Sequence, residues 1–335
     1  MSLGVGIVGL GFGARVHLPG FRRLEPEGVR VAAVCARDGA RARQVADAAG
    51  VPEAYDDWRR LVDDPAVDLV SVATPPAAHA EIVAAALDAR KPVLCEKPLA
   101  ATVEAAERLE ELAAAAGVPT LVDFEFRGLP SFRRARELLR EGAIGRVLQL
   151  EVAWHLGSRL AAGLAPSWKD DAEAGGGTLL ALGVHSFDYV EWLLGPVESL
   201  CGTARTLLGR GTSDDACAAL MRLADGAHVT LSISTVAAHG RGQSLRFFGE
   251  EGTLVLENPD VADYMRGFRL ALNGAGIPLP EPPDGDGRIA AFVELARELV
   301  MAIREGRPAS PSFREGLRAQ RLAEASRAGE GWRTV

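Results

Sequence analysis

The sequence predicts an α/β protein of two domains: a doubly wound parallel sheet over residues 1–122, then an α+β domain over residues 123–335. Three observations predict it. The first 122 residues alternate short apolar runs with amphipathic helical stretches, a rhythm that puts helices on both faces of a parallel sheet. A glycine cluster separates the first run from the first helix. Beyond residue 123 the runs lengthen and alternate, with turn signals at Asp225-Gly226 and Glu251-Gly252, and read as an antiparallel meander.

In chain order, residues 3–8 form a buried strand that runs into Gly9-Leu10-Gly11-Phe12-Gly13. A helix follows with Val16, Leu18, Phe21 and Leu24 on its apolar side. Residues 29–35 are the next strand, and 37–49 a helix closed by Gly50. A short helix over 56–62 precedes a strand over 67–73. Residues 77–89 are helical and 92–95 a strand, and 102–116 form a helix with Thr102 as N-cap and Gly117 past its end. Residues 118–122 add a strand, and a helix over 131–140 stops at Gly142. The meander uses the runs at 146–154, 197–208, 216–223, 227–236, 245–248, 253–257 and 268–272. An exposed linker over 278–286 leads to helices at 288–304 and 313–327, separated by Pro308 and Pro311.

Composition removes several classes of function. At 48% hydrophobic, the 335 residues have ample material for packed cores, yet no apolar run approaches the ~18 residues of a membrane span. The start lacks the basic region of a signal peptide. A net charge of −8 repels phosphate backbones and argues against nucleic acid as partner. Cys35, Cys95, Cys201 and Cys217 form no CxxC pair, so reduced thiols in a cytoplasmic protein are expected, with no metal site.

Gly9-x-Gly11-x-x-Ala14 lies between a strand and a helix, the setting a dinucleotide fingerprint requires, so the first domain is expected to be of Rossmann type. Gly9 permits the tight turn, Gly11 lets backbone approach a pyrophosphate, and Ala14 keeps the helix close to the sheet. Phe12 and Gly13 complete the loop, and the helix N-terminus offers N–H groups to the anion. A tight turn without ligand is the plainer alternative.

NAD selection usually places a carboxylate about 20 residues further on, at the end of the second strand. Here that strand ends Val34-Cys35-Ala36-Arg37. Ala36 leaves room for a 2′-phosphate, Arg37 is suited to bind it bidentately, and Arg41 lies one helical turn on. NADP(H) is therefore favoured over NAD(H). In the competing reading Arg37 merely starts a solvated helix and Asp38 takes the ribose.

Lysine stands only at 91, 97 and 169; every other basic residue is arginine, which cannot release a proton. Lys97 belongs to Cys95-Glu96-Lys97-Pro98, at the carboxyl end of a predicted parallel strand, where ligands of open α/β sheets bind. A lysine beside a nicotinamide ring is suited to proton transfer, with Glu96 to orient it. On spacing alone a surface Lys-Pro turn is the plainer reading.

Gly9-Leu10-Gly11…His17, Ala73-Thr74-Pro75…His79 and Val93-Leu94-Cys95-Glu96-Lys97-Pro98-Leu99 together resemble the Gfo/Idh/MocA oxidoreductases, named for glucose-fructose oxidoreductase and inositol dehydrogenase. Phe126-Arg127…Pro130, Gly142-Ala143-Ile144-Gly145 and Gly175-Gly176-Gly177-Thr178-Leu179…Gly183-Val184-His185-Ser186-Phe187-Asp188 are similar to that family in order and spacing. The resemblance spans at least residues 4–195. It implies a pyridine-nucleotide dehydrogenase or reductase acting on a hydroxyl or carbonyl group of a small sugar, polyol or related compound. It also implies a C-terminal domain with a large, mostly antiparallel open sheet that makes homodimers or homotetramers. Leu220, Leu231 and Ile233 are expected to be too apolar to face water in bulk.

Carried over by position, Gly9, Gly11 and Ala14 bind pyrophosphate, Thr74 and Pro75 line the cofactor, and His79 lies nearby. Glu96 and Lys97 face nicotinamide and substrate, with His185 as the histidine expected opposite Lys97. Read from its surroundings alone, His185 opens a helix, and a lone histidine so placed is more often a hydrogen-bonded structural residue than a catalyst. His155 and Trp168 are candidate walls of a substrate pocket, or ordinary packing residues. One departure stands out: the family carries an aspartate four residues before the histidine, and here that residue is Ala181. Either Lys97 and His185 suffice, or Glu125 or Asp188 supplies the carboxylate, or catalysis is lost. Two rival readings follow: a catalytically silent NAD(P)-binding sensor, and a redox-assisted glycoside-cleaving enzyme.

Overall fold

The computed structural model describes residues 2–335 apart from 158–162, 164, 166, 210, 262, 264, 282–284, 328 and 330. The last three-residue gap lies inside the linker expected over 278–286, and that part of the expectation falls outside the described residues. Contacts divide the chain into two units, Met1–Gly128 with Arg288–Leu317, and Leu129–Gly287 with Arg318–Val335. The sequence expectation has a single break at 122/123.

The first unit holds β1 (Leu3–Val8), α1 (Leu18–Arg22), β2 (Val29–Cys35), α2 (Gly39–Ala49), β3 (Glu53–Tyr55), α3 (Trp58–Asp63), β4 (Leu69–Val72), α4 (His79–Asp88), β5 (Val93–Cys95), α5 (Val103–Ala116) and β6 (Thr120–Val122). The six strands are parallel in the order β3-β2-β1-β4-β5-β6, so the winding direction reverses between β1 and β4. Both faces are covered, which is why β4 and β5 are apolar or small throughout and fully buried. Two local expectations shift. The stretch after the glycine cluster is a π-turn, Gly13–His17, continued by α1. The second helix starts at Gly39, not at 37, because Asp38 caps it, accepting from the N–H groups of Ala40 (3.0 Å) and Arg41 (3.2 Å).

The second unit holds α6 (Pro130–Arg140), β7 (Val147–His155), α7 (Val184–Leu194), β8 (Val197–Arg205), β9 (Ala216–Leu223), β10 (His228–Ser234), β11 (Gly242–Gly249), β12 (Thr253–Asn258), β13 (Arg269–Leu272), β14 (Ala275–Ile277) and β15 (Arg333–Thr334). Two more helices, α8 (Gly287–Glu305) and α9 (Phe313–Arg327), carry the residues at which the units divide. The nine-stranded sheet has the order β14-β13-β12-β11-β7-β10-β9-β8-β15. It departs from a simple meander: β7, early in the chain, inserts between β10 and β11 and pairs with β10 in parallel. One row of side chains, Ala219, Leu231, Val152, Leu245, Leu256 and Leu270, crosses six strands in register and is buried along its whole length. Leu231 and Ile233 therefore face the core of their own unit, and only Leu220 of the three expected apolar residues is exposed, at 51%. Strand alternation accounts for it: Leu220 pairs with Thr230, one residue out of phase with Leu231.

In the first unit Phe292 of α8 is fully buried, stacked on His17 at 4.4 Å between centroids and edge-on to Phe21 at 5.1 Å. Gly20 makes room for it, since a Cβ there would stand 2.3 Å from Phe292 Cδ1. Gly20→Ala is expected to lower unfolding free energy by about 1–3 kcal/mol, the usual range for overpacking. Urea denaturation measures it, and an unchanged midpoint would show that α8 yields without cost.

Candidate active site

The loops at the carboxyl edge of the parallel sheet are held in step by backbone bonds that extend the ladder past each strand. Gly9 N–H donates to Cys35 O (2.9 Å), Ala73 to Val8 (2.8 Å), Glu96 to Val72 (2.9 Å) and Asp123 to Cys95 (2.8 Å). This edge, at the reversal of strand order, is where doubly wound sheets bind ligands.

The glycines of the first loop have different causes. Gly9 has φ +98°, and a Cβ would meet the Ala73 carbonyl oxygen at 2.5 Å. Gly13 is held by close packing, with Ile7 Cγ2 3.0 Å from its would-be Cβ. Gly11 is exposed, and a Cβ there would meet nothing within 4 Å among the described residues. Packing thus explains Gly9 and Gly13 but not Gly11. Phe12 and Ala14 are half-buried beside it. Thr74 is half-buried with its Oγ1 enclosed and, among the described residues, without a hydrogen-bond partner, and Pro75 is exposed. Gly11 and Thr74 are the features that fit a bound dinucleotide.

His79 is fully buried, with Nε2 2.9 Å from Thr74 O and Nδ1 3.1 Å from Pro98 O and 3.4 Å from Cys95 Sγ. It ties the Thr74 loop to the Lys97-Pro98 turn. Burial lowers its pKa against the pull of those backbone acceptors, so the ring is neutral. Burial likewise pushes the Cys95 thiol well up.

Around Glu96 the sequence reading falls short of what the fold assembles. His17, fully buried at the end of the π-turn, has Nδ1 2.8 Å from Ser71 Oγ and Nε2 3.1 Å from Glu96 Oε1. Asp123, 1% exposed, has Oδ2 3.7 Å from the same nitrogen. Burial acts to raise the Glu96 pKa, but the His17 hydrogen bond and the neighbouring Lys97 charge outweigh it and hold it low. Lys97 is half-buried in the following position. Glu125 is buried at the start of a 3-10 turn, Glu125–Gly128, whose Arg127 pairs with Glu315 (3.7 Å) and donates to Ser310 Oγ (3.2 Å). Asp123 and Ser71 were missed. The signal for Asp123 was available: it directly follows a predicted parallel strand, as Gly9 and Glu96 do.

At the end of β2, Ala36 is half-buried and Arg37 and Arg41 are exposed, with Arg41 Nη1 donating to Gln44 Oε1 (3.0 Å).

In the second unit, His185 and Asp188 lie one turn apart on α7, both buried, and the His185 ring is 6.5 Å from that of Trp154. Asp214 pins the entry to this helix: its Oδ1 accepts from Leu179 N–H (2.7 Å), its carbonyl from Thr178 N–H (2.9 Å), and Arg327 pairs with Oδ2 (3.3 Å). The glycine-rich stretch before it is explained by packing. A Cβ on Gly177 would meet Asp214 Oδ2 at 2.6 Å, and one on Gly176 the Trp168 carbonyl at 2.5 Å. His155, half-buried at the end of β7, has Nδ1 3.2 Å from Ser234 Oγ, and burial lowers its pKa. Trp168 is half-buried in a 3-10 turn, Trp168–Asp170.

Two family models match in tandem: an oxidoreductase family with an NAD-binding Rossmann fold over residues 3–124, and the GFO/IDH/MocA C-terminal domain over residues 132–255. The chain belongs to the Gfo/Idh/MocA family of oxidoreductases. This Gfo/Idh/MocA protein is 33% identical to an uncharacterized oxidoreductase of Synechocystis, covering 97% of this chain and 93% of the other. It is 29% identical to levoglucosan dehydrogenase of Pseudarthrobacter phenanthrenivorans, covering 99% and 97%. A solved levoglucosan dehydrogenase, in complex with NADH and levoglucosan, superposes with a TM-score of 0.87 at 27% identity, covering all of both chains. The Gfo/Idh/MocA chain is an NAD(P)-dependent oxidoreductase with a Rossmann-type sheet and a mostly antiparallel open sheet. Among its described residues no helix is long and apolar enough to cross a membrane.

Proposed function

We propose that this protein is an NADP(H)-preferring dehydrogenase or reductase acting on a carbinol or carbonyl carbon of a small sugar, polyol or related compound. The observation that carries it is the joint placement of Gly11 and Glu96-Lys97 on one edge of the sheet, at the reversal of strand order. The nicotinamide, when bound, supplies or accepts the hydride. Gly9, Gly11, Phe12, Gly13 and Ala14 hold the pyrophosphate, and Thr74 and Pro75 flank the cofactor. Lys97 Nζ gives a proton to, or takes it from, the substrate oxygen, and Glu96 orients that amine. His185 is assigned as a second polar group acting on the same oxygen, with Glu125 as the candidate carboxylate and His155, Trp168 and Asp188 as substrate-pocket residues. Preference for NADP(H) is supported by Ala36 in place of a carboxylate, by exposed Arg37 and Arg41, and by the use of Asp38 as a helix cap. A relative is solved with NADH, so the test below compares both coenzymes. Four free thiols suit a reducing, cytoplasmic setting.

The test is a screen of sugars, polyols and their keto forms with NADP(H) and NAD(H), followed at the reduced-nicotinamide absorbance. Turnover with net change in reduced cofactor supports the reading. Cleavage of glycosides without net cofactor change would replace it by the glycoside-cleaving alternative, and cofactor binding with no turnover by the sensor. We further propose a homodimer or homotetramer built on the outer face of the nine-stranded sheet, where Leu220 is exposed. Light scattering at micromolar concentration is expected to give a multiple of the 35.4 kDa chain mass, and a monomer throughout would remove the proposal.

A further inference from the structure

Asp123 has no part in the function just proposed, yet its surroundings are unusual. Among the described residues, no N–H or hydroxyl donor reaches either of its carboxyl oxygens, although both are buried. An ionised carboxylate so placed would bear its full desolvation cost. The groups facing it are largely acidic: Glu96 after β5, Glu125 two residues on and the Cys95 thiol at the end of β5, together with the His17 ring and Lys97. A carboxyl oxygen of Asp123 and one of Glu96 lie within 4.8 Å of each other beside the same His17 nitrogen, and two carboxyls so placed share a hydrogen bond only when one of them carries a proton. Glu96 also faces His17 Nε2 at 3.1 Å, and Glu96 as a carboxylate only accepts, so that nitrogen donates. Ser71 on the other nitrogen and Phe292 on the ring face hold the imidazole still.

We propose that Asp123 is a positioning residue that works as a neutral acid, donating its carboxyl proton to Glu96 and, with His17, fixing the Glu96 carboxylate beside Lys97. The direction of titration agrees. Burial first, then the Glu96 and Glu125 charges, raise the Asp123 pKa well above the carboxylate range, and Lys97 opposes them without reversing the result. In this role Asp123 holds its proton to higher pH than an ordinary aspartate and loses it as pH rises through the raised value. Once ionised it repels Glu96 and the arrangement loosens. The role rests on the proposed function only in making Lys97 the proton carrier; the protonation itself does not.

The test compares wild type with Asp123→Asn and Asp123→Leu. Infrared spectra at neutral pH are expected to show the carbonyl band of a buried, protonated carboxylic acid in the wild type, and its absence from Asp123→Asn. This readout needs no substrate, so it separates failure of this inference from failure of the proposed function; a band that survives Asp123→Asn overturns the inference whatever the turnover. With an active substrate, Asp123→Asn, whose amide still donates to Glu96, is expected to keep kcat near wild type and to lose an alkaline decline of the pH–rate profile. Asp123→Leu is expected to lower kcat about tenfold, the worth of one hydrogen bond to a charged group, with NADPH affinity unchanged. Should Asp123→Leu fail to fold, the Asn variant and the spectra decide alone. His17, Glu96 and Asp123 present ligand atoms within 4.8 Å of one another, so Zn²⁺ and Mn²⁺ are titrated as well. Stoichiometric metal binding abolished by Asp123→Asn would overturn the neutral-acid role, and absence of binding supports it.

Discussion

Lys97→Met is expected to lower kcat by about 10²–10⁴-fold, the usual contribution of a positioned acid–base group, while leaving NADPH affinity unchanged. Methionine keeps the length and apolar stem of the side chain and removes only the amine. Lys97 follows β5 on the same sheet edge as the Gly9–Gly13 loop and is only half-buried, so its loss leaves the core intact. The chain's preference for arginine sharpens the expectation, because a guanidinium would keep the charge and forfeit the proton transfer. Steady-state kinetics on the best substrate of the screen, with calorimetric titration of NADPH, read both quantities. Glu125→Gln serves as the companion. A comparable fall makes Glu125 the carboxylate that Ala181 does not provide, and wild-type turnover makes it a packing residue and leaves Lys97 and His185 sufficient. Wild-type rates in both variants would show that the proton moves elsewhere.

Arg37→Ala is expected to weaken NADPH binding by about 1.5–3 kcal/mol, roughly 10–150-fold, and to leave NADH almost untouched. The argument turns on two neighbours in sequence. Asp38 would be the NAD-selecting carboxylate, but its Oδ1 already accepts two backbone N–H groups at the start of α2. Arg37 precedes that cap, exposed to solvent, where it is available to a 2′-phosphate. Calorimetry with both coenzymes measures the difference, and equal affinities in the unmodified protein would end the case for NADP(H).

Much of this architecture was legible because local pattern and tertiary outcome agree. The alternation of apolar runs and helices gave the parallel sheet, and the Gly9-x-Gly11 loop stands at its carboxyl edge where the strand order reverses. What escaped depends on partners distant in sequence. Nothing near residue 147 says that β7 will pass between β10 and β11, since the runs of all three look alike and strand order is decided by packing. The apolar character of Leu220, Leu231 and Ile233 was plain, but which of them turn inward depends on register. His17, Ser71, Glu96 and Asp123 stand in four separate segments, and only the strand order brings their side chains together. Arg37 illustrates the reverse: the helix expected from 37 begins two residues later because Asp38, a local signal, caps it.

Phe292 carries a further consequence, for the order in which the protein is made. The side chain that stacks on His17 and fills the space above Gly20 belongs to a segment translated long after β6. A ribosome that has released residues 1–128 has therefore exposed a nucleotide-binding sheet that lacks one of its aromatic plugs, and Phe21 has no ring to meet. Domains that are continuous in sequence complete themselves as they emerge; this one must wait for residues 288–317. An isolated fragment ending near 128 would be a nascent-chain intermediate, with an apolar hollow beside His17, rather than a transferable cofactor module.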